Sequence, residues 1–306
     1  MLEPKGMRRV NPGGDPAVWV FHDTLGDEGV CGLAVAREGR APETATLVVS
    51  RQAYTQKVMY QIAEQGQLYD SNTSLLALGA LRQGDIAIDI GAHVGYFTLL
   101  FRLAVGATGT VIAFEPMPDS YRRLLRNVLA NRFTNVVPLP LAVADRTGSA
   151  IFHLNADNEG ECSLLDNHGT ASVQVQVTCL DDLFRDGLPA RPRVMKIDAE
   201  GVEMNILRGA QRWFDLYAPD MMVCEVNRGA LATGGATERD LRFFFETRGY
   251  RCAVINIGEE DVGLDMRGAS FYRYLAADEF VREDLGYVFN LMCVRAGSGL
   301  YPADSL

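Results

Sequence analysis

The 306 residues carry 29 Lys and Arg against 39 Asp and Glu, a net charge of -10, and 48% of them are hydrophobic. That apolar content is enough to bury a full core, which excludes a disordered chain. The average negative field repels phosphates and argues against nucleic acid as a partner. Six cysteines without a C-x-x-C pair, a start without an apolar signal core and no bilayer-length apolar run predict a reduced, cytoplasmic protein with no membrane partner.

Residues 1–65 read as an N-terminal appendage. Its short strand-like runs at 18–22 and 46–50 carry no chemistry, and their expected role is to cover the sheet or meet a second copy in a homo-oligomer. Residues 66–306 then form the main domain. Tyr69 and Asp70 precede a helix expected over 74–81, with Asp70 as its cap and Tyr69 bordering any ligand. Residues 86–98, Ile-Ala-Ile-Asp-Ile-Gly-Ala-His-Val-Gly-Tyr-Phe-Thr, change from strand alternation to a glycine turn and then to an apolar helix. In an open α/β sheet that change marks a ligand crevice at the carboxyl ends of the strands.

A dinucleotide fingerprint would need a glycine at His93, where a pyrophosphate approaches the backbone, so the turn reads as Asp-x-Gly-x-x-x-Gly instead. The strand at 110–114 ends in Glu115-Pro116, an acceptor-only carboxylate suited to two ribose hydroxyls of either a sulfonium or a nicotinamide nucleoside. A helix over 118–131 is expected to bury Tyr121, Leu124, Leu125, Val128 and Leu129. The third strand, 136–143, ends near Ala142, small enough for an adenine ring to lie against the backbone. An inserted antiparallel hairpin follows over 149–179, with a polar loop at 158–163.

The stretch at 194–203, Val-Met-Lys-Ile-Asp-Ala-Glu-Gly-Val-Glu, puts Lys196 and Asp198 on one face of a central strand, where burial forces them to pair. Asp198 falls at the carboxyl end of that strand and Glu200 in the turn beyond it. Glu203 reads as a helix-dipole residue. Strands at 221–226, 251–257 and 287–294 complete the sheet, a helix from Thr237 to Arg248 buries Leu241, Phe244 and Phe245, and the long segment 258–286 reads as a substrate lid.

Taken in order, residues 89–98, 114–118 and 196–203 resemble the FkbM-type methyltransferases, a family of class I enzymes that use S-adenosylmethionine (SAM). The resemblance implies an α/β, Rossmann-like, seven-stranded and mostly parallel sheet with helices on both faces. It also implies O-methylation of a small acceptor such as a natural product or a sugar. On that likeness Asp89, Gly91, Gly95 and Glu115, with the adjoining Ala92, His93, Tyr96, Pro116 and Ala142, would form the cofactor site. Asp198 would face the methyl-transfer zone, with Asp198 or Glu200 as the base.

Asp198, Glu200 and Glu225 could instead gather a divalent cation, whereas His93, His153 and His168 lack zinc-ligand spacing. Two further readings stay open at this point. One is an NAD-dependent oxidoreductase; the other is a cofactor-binding scaffold that has lost turnover.

Overall fold

The computed structural model describes residues 8–11, 15–37, 41–155, 157–165, 171–256, 271–281 and 288–301, and these fall into two compact units. The first comprises the described residues of Met1–Pro140 with Asn155–Glu161; the second comprises those of Leu141–Leu154 and Cys162–Leu306.

The first unit opens with an antiparallel meander of β1 (Arg8–Arg9), β2 (Ala17–Leu25), β3 (Glu28–Ala36) and β4 (Glu43–Ser50). Strand β3 is not apparent in the sequence because Gly29 and Gly32 interrupt its apolar pattern. Both glycines are required by packing. A Cβ on Gly32 would lie 1.9 Å from the ring of Phe21, its cross-strand partner, and one on Gly29 would lie 2.4 Å from Tyr60.

Helices α1 (Tyr54–Glu64) and α2 (Ser71–Ala80) lead into β5 (Ile86–Ile90), α3 (Tyr96–Val105), β6 (Thr110–Phe114), α4 (Pro118–Ala130) and β7 (Val136–Leu139). Strands β5, β6 and β7 are parallel neighbours, so β5-α3-β6-α4-β7 is a βαβαβ half of the Rossmann-like kind. All five residues of β5 and all ten of α3 are buried, as expected for a central parallel strand and a helix apolar on every side. Asp70 takes the N-cap place of α2 in a left-handed conformation, but its side chain makes no cap hydrogen bond, contrary to the expected role.

The stripe expected on α4 also needs correction. Leu124 and Val128 are buried, but Leu129 is exposed and Asn127 is buried in its stead. Asn127 lies against the edge of β4, where Oδ1 accepts from Val48 N–H at 2.9 Å and Nδ2 donates to Val48 O at 3.2 Å. Asn131, one helical turn on, repeats the pattern with Thr46 at 2.8 and 2.7 Å. A helix with asparagines at this spacing satisfies backbone groups of an edge strand that would otherwise lack partners.

In the second unit β8 (Leu141–Val143), β9 (Gly148–Leu154) and β10 (Ala171–Thr178) form a three-stranded sheet in the order β8-β10-β9. The strand expected over 136–143 is therefore two strands. Pro140 separates β7 from β8, and Ala142 pairs with Val177. The unit continues with α5 (Leu180–Leu183), β11 (Pro192–Ile197), α6 (Glu203–Arg208), α7 (Gln211–Tyr217), β12 (Met221–Asn227), α8 (Arg228–Thr233), α9 (Glu238–Glu246), β13 (Tyr250–Ile255), β14 (Tyr272–Tyr274) and β15 (Val288–Arg295).

Strands β11 and β12 are parallel, whereas β15 pairs antiparallel with both β12 and β13, and β14 pairs antiparallel with β13. The fold is α/β with mixed rather than purely parallel pairing, and β14 is an edge strand beyond those expected. Of the segment read as a lid, residues 271–281 are described and supply this edge strand; the rest of 258–286 lies outside the described residues. Thr237 caps α9 through a capping box with Asp240, and Leu241, Phe244 and Phe245 are buried.

All six cysteines are free and buried; Cys252 and Cys293 face each other across β13 and β15 with Sγ atoms 2.7 Å apart. Among the described residues no helix is long and apolar enough to cross a membrane.

Candidate active site

The first turn follows β5. Asp89 is fully buried, and its Oδ2 accepts from the Thr98 hydroxyl at 2.6 Å, which ties the strand end to the first turn of α3. Gly91, His93 and Gly95 have φ of 79°, 50° and 100°. The left-handed conformation accounts for the residue at 93, since histidine, like asparagine and aspartate, enters that region more readily than most side chains. A Cβ on Gly95 would lie 2.7 Å from a δ-methyl of Leu124, and the φ of 100° itself disfavours a side chain there.

Four backbone N–H groups of this turn are engaged within the protein. Gly91 and Ala92 both donate to Phe114 O, at 3.0 and 2.9 Å, and Gly95 donates to Ala92 O at 2.8 Å. His93 N–H donates to Glu115 Oε2 at 2.7 Å, and Met117 N–H donates to the other oxygen of Glu115 at 2.8 Å. Glu115 is therefore aimed by two backbone donors, one from the turn after β5 and one from the residue after Pro116, and is 6% exposed.

Tyr96 is buried, lies edge-on to Tyr69 and is hydrogen-bonded to Ser74 at 3.2 Å. Burial pushes its phenol well above the usual range. The imidazole of His93 stands 3.8 Å from Glu159, whose carboxylate accepts from Thr55 N–H and Gln56 N–H at the start of α1.

The second turn follows β11. Lys196, 4% exposed, places Nζ 2.6 Å from Asp198 Oδ2, the pairing expected from the alternation. Oxygens of Asp198, Glu200 and Glu225 come within 4.8 Å of one another. Burial, with the charges of Asp198 and Glu200 beside it, pushes Glu225 well above the usual carboxylate range. Lys196 Nζ already supplies a positive charge beside these carboxylates, and no step is derived through a divalent cation.

Glu200 has φ 51°; its Oε2 accepts from Asn227 Nδ2 at 3.1 Å and its carbonyl accepts from the Ser163 hydroxyl at 2.8 Å. Glu203 is not a solvated dipole residue. It is 2% exposed, and its Oε1 accepts from Ala199 N–H and Gly201 N–H, both at 3.1 Å. Burial raises its carboxyl to about 7.

Of the residues singled out in the sequence, Asp89, Gly91, Ala92, His93, Gly95, Tyr96, Glu115 and Pro116 lie around the first turn. Asp198, Glu200 and Glu225 lie around the second, and Ala142 lies in β8. Sequence reasoning missed the roles of Thr98, Asn127 and Asn227, misread Glu203, and named the polar loop of Glu159 and Ser163 without assigning either residue. Only Asn127 carried a readable signal, as a polar residue inside an apolar stripe with Leu124 and Val128.

A βαβαβ half with an acidic tip on each of two adjacent strands defines a nucleoside-binding class of α/β protein. Residues 89–252 match the methyltransferase FkbM domain, and the chain belongs to that family. It is 25% identical over 154 residues to the hexuronic acid methyltransferase AglP of Haloferax volcanii, a match covering 50% of this chain and 61% of that protein. The chain thus spans about three-fifths of the archaeal relative.

It is 28% identical over 192 residues to methyltransferase 1 of Beauveria bassiana, covering 55% of this chain and 72% of the fungal protein. Among solved structures, an FkbM methyltransferase from Methylobacillus flagellatus is similar at 13% identity and a TM-score of 0.40, over 78% of this chain and 60% of that one. So distant a likeness leaves the fold to be argued from this chain's own strands.

Proposed function

We propose that this chain methylates a hydroxyl group of a small, sugar-like or natural-product acceptor, with SAM as methyl donor. The observation that carries the reading is the hydrogen bonding of the first turn. The N–H groups of Gly91, Ala92, His93 and Gly95 all have protein acceptors, and a buried carboxylate stands at the tip of β6. Backbone donors so engaged cannot cradle a pyrophosphate, which argues against NAD. An acceptor-only carboxylate at this strand tip suits a ribose diol. Asp89 and the turn through Tyr96 would hold the amino-acid end of the donor.

When bound, the sulfonium supplies an already activated methyl electrophile. The chain's task is then to align the acceptor and remove its proton. Asp198 or Glu200 takes that proton, Lys196 pairs with Asp198, and Glu225, whose carboxyl is pushed up by burial and by the charges of Asp198 and Glu200, orients the acceptor. The name of the archaeal relative supports sugar acids as the first acceptors to try.

Calorimetry with SAM, its demethylated product and NAD tests the reading, together with transfer of labelled methyl from SAM to D-glucuronic acid as probe. Glu115→Ala removes two charge-assisted acceptor contacts and should weaken SAM binding about 100-fold or more. Tight NAD binding with no heat from SAM would refute the proposal. SAM binding without transfer to any hydroxyl would favour a scaffold that has lost turnover.

A further inference from the structure

The turn between β11 and α6 holds its carboxylates on a backbone that has reason to relax. Glu200 lies at φ 51° and Gly201 at φ 100°, and left-handed backbone at a non-glycine residue persists only where its surroundings enforce it. Gly201 cannot take a side chain, since a Cβ would lie 2.4 Å from Ala230 O. Glu203, the first residue of α6, reaches back to this turn, and its Oε1 binds the N–H groups on both sides of Glu200. Attraction to the helix dipole alone would leave such a carboxylate in water. Here it is buried, and Oε2 has no hydrogen-bond partner among the described residues.

We propose that Glu203 is a positioning residue for the methyl-transfer reaction: by binding Ala199 N–H and Gly201 N–H together, it fixes the turn on which Asp198 and Glu200 stand. Ser163 and Asn227 brace the same turn through the carbonyl and carboxylate of Glu200. The inference rests on reading Asp198 or Glu200 as the proton acceptor. The clamp itself can be tested without that reading.

Two variants separate reach from charge. Glu203→Asp keeps the carboxylate but is one methylene short of the two N–H groups, whereas Glu203→Gln keeps an acceptor oxygen at full reach. In amide hydrogen exchange, Glu203→Asp should speed exchange of Ala199 and Gly201 about tenfold or more, while Glu203→Gln stays near the parent protein. With labelled SAM and D-glucuronic acid, Glu203→Asp should lower kcat about 30-fold, leave the SAM Kd and the acceptor KM within about threefold, and be rescued in Glu203→Gln. Parent-like exchange at Ala199 and Gly201 in Glu203→Asp would overturn the proposal. If the parent protein transfers no methyl to the probe, the exchange experiment still decides the clamp, and only the reading of the reaction fails.

Discussion

The turns after β5 and after β11 use similar backbone and opposite electrostatics. Each follows the end of a parallel strand, and each contains left-handed residues: Gly91, His93 and Gly95 in one, Glu200 and Gly201 in the other. In the first, the carboxylate of Glu115 accepts from two backbone N–H donors. In the second, three carboxylates are brought together with one ammonium, and burial favours protonation of Glu225 and Glu203. On the proposed function the difference would separate two tasks: the turn that presents Glu115 would bind the donor, and the turn whose carboxyls are pushed up would move the proton.

The largest effect that would sharpen this comparison is on turnover. Asp198→Asn keeps the shape of the side chain but removes its charge, and should lower kcat about 100-fold to 10,000-fold while leaving SAM affinity nearly unchanged. Loss of the counter-charge of buried Lys196 should also lower the melting temperature. Normal turnover in this variant would remove Asp198 from the mechanism and leave Glu200 as the base. A large loss of SAM affinity would instead show that the second turn binds the donor, and the proposed division of tasks would fail.

A second prediction concerns pH. Glu203 is raised from 4.5 to about 7, so between those values the folded state keeps a proton that the unfolded chain has released. Its contribution to stability is fully present below about 4.5 and is lost as pH rises through 7, amounting to about 3 kcal/mol. Glu238, also raised to about 7 by burial, and Glu225 act in the same direction. The melting temperature should therefore fall between pH 5 and pH 8, and Glu203→Gln, which cannot ionise, should flatten that fall without abolishing it. An unchanged slope would show that Glu203 does not titrate in this range.

The parts legible in the sequence were those encoded by short-range periodicity. Strands β5 and β6, their acidic tips and the glycine turn between β5 and α3 follow from alternation and turn chemistry, and so does the Lys196–Asp198 pair, two residues apart on one strand face. Other features depended on partners remote in the chain. Asn127 resembles a fault in the stripe of α4 until β4 is seen beside it, 79 residues away in sequence. The glycines of β3 resemble breaks until the rings of Phe21 and Tyr60 are seen to fill their places. Glu203 was misread because its position at the first residue of a helix supplied a sufficient local explanation, whereas its burial depends on tertiary packing.

The smallest expected effect probes the first turn from outside. Glu159 accepts from Thr55 N–H and Gln56 N–H at 3.4 and 3.1 Å, about one hundred residues along the chain, where the N-cap residue of α1, Ala53, offers no side-chain cap. It is thus a cap supplied from a distance, and its carboxylate also lies 3.8 Å from the ring of His93. Glu159→Ala should cost about 1 kcal/mol, the usual loss for a helix cap, which is a fall of roughly 2 °C in melting temperature for a chain of this size. Because the first turn is held mainly by its own backbone bonds to Phe114 and Glu115, SAM affinity in Glu159→Ala should stay within about threefold of the parent. A loss of about tenfold or more would mean that the His93–Glu159 contact shapes the donor site. The binding turn would then depend on side-chain charge as the proton-moving turn does.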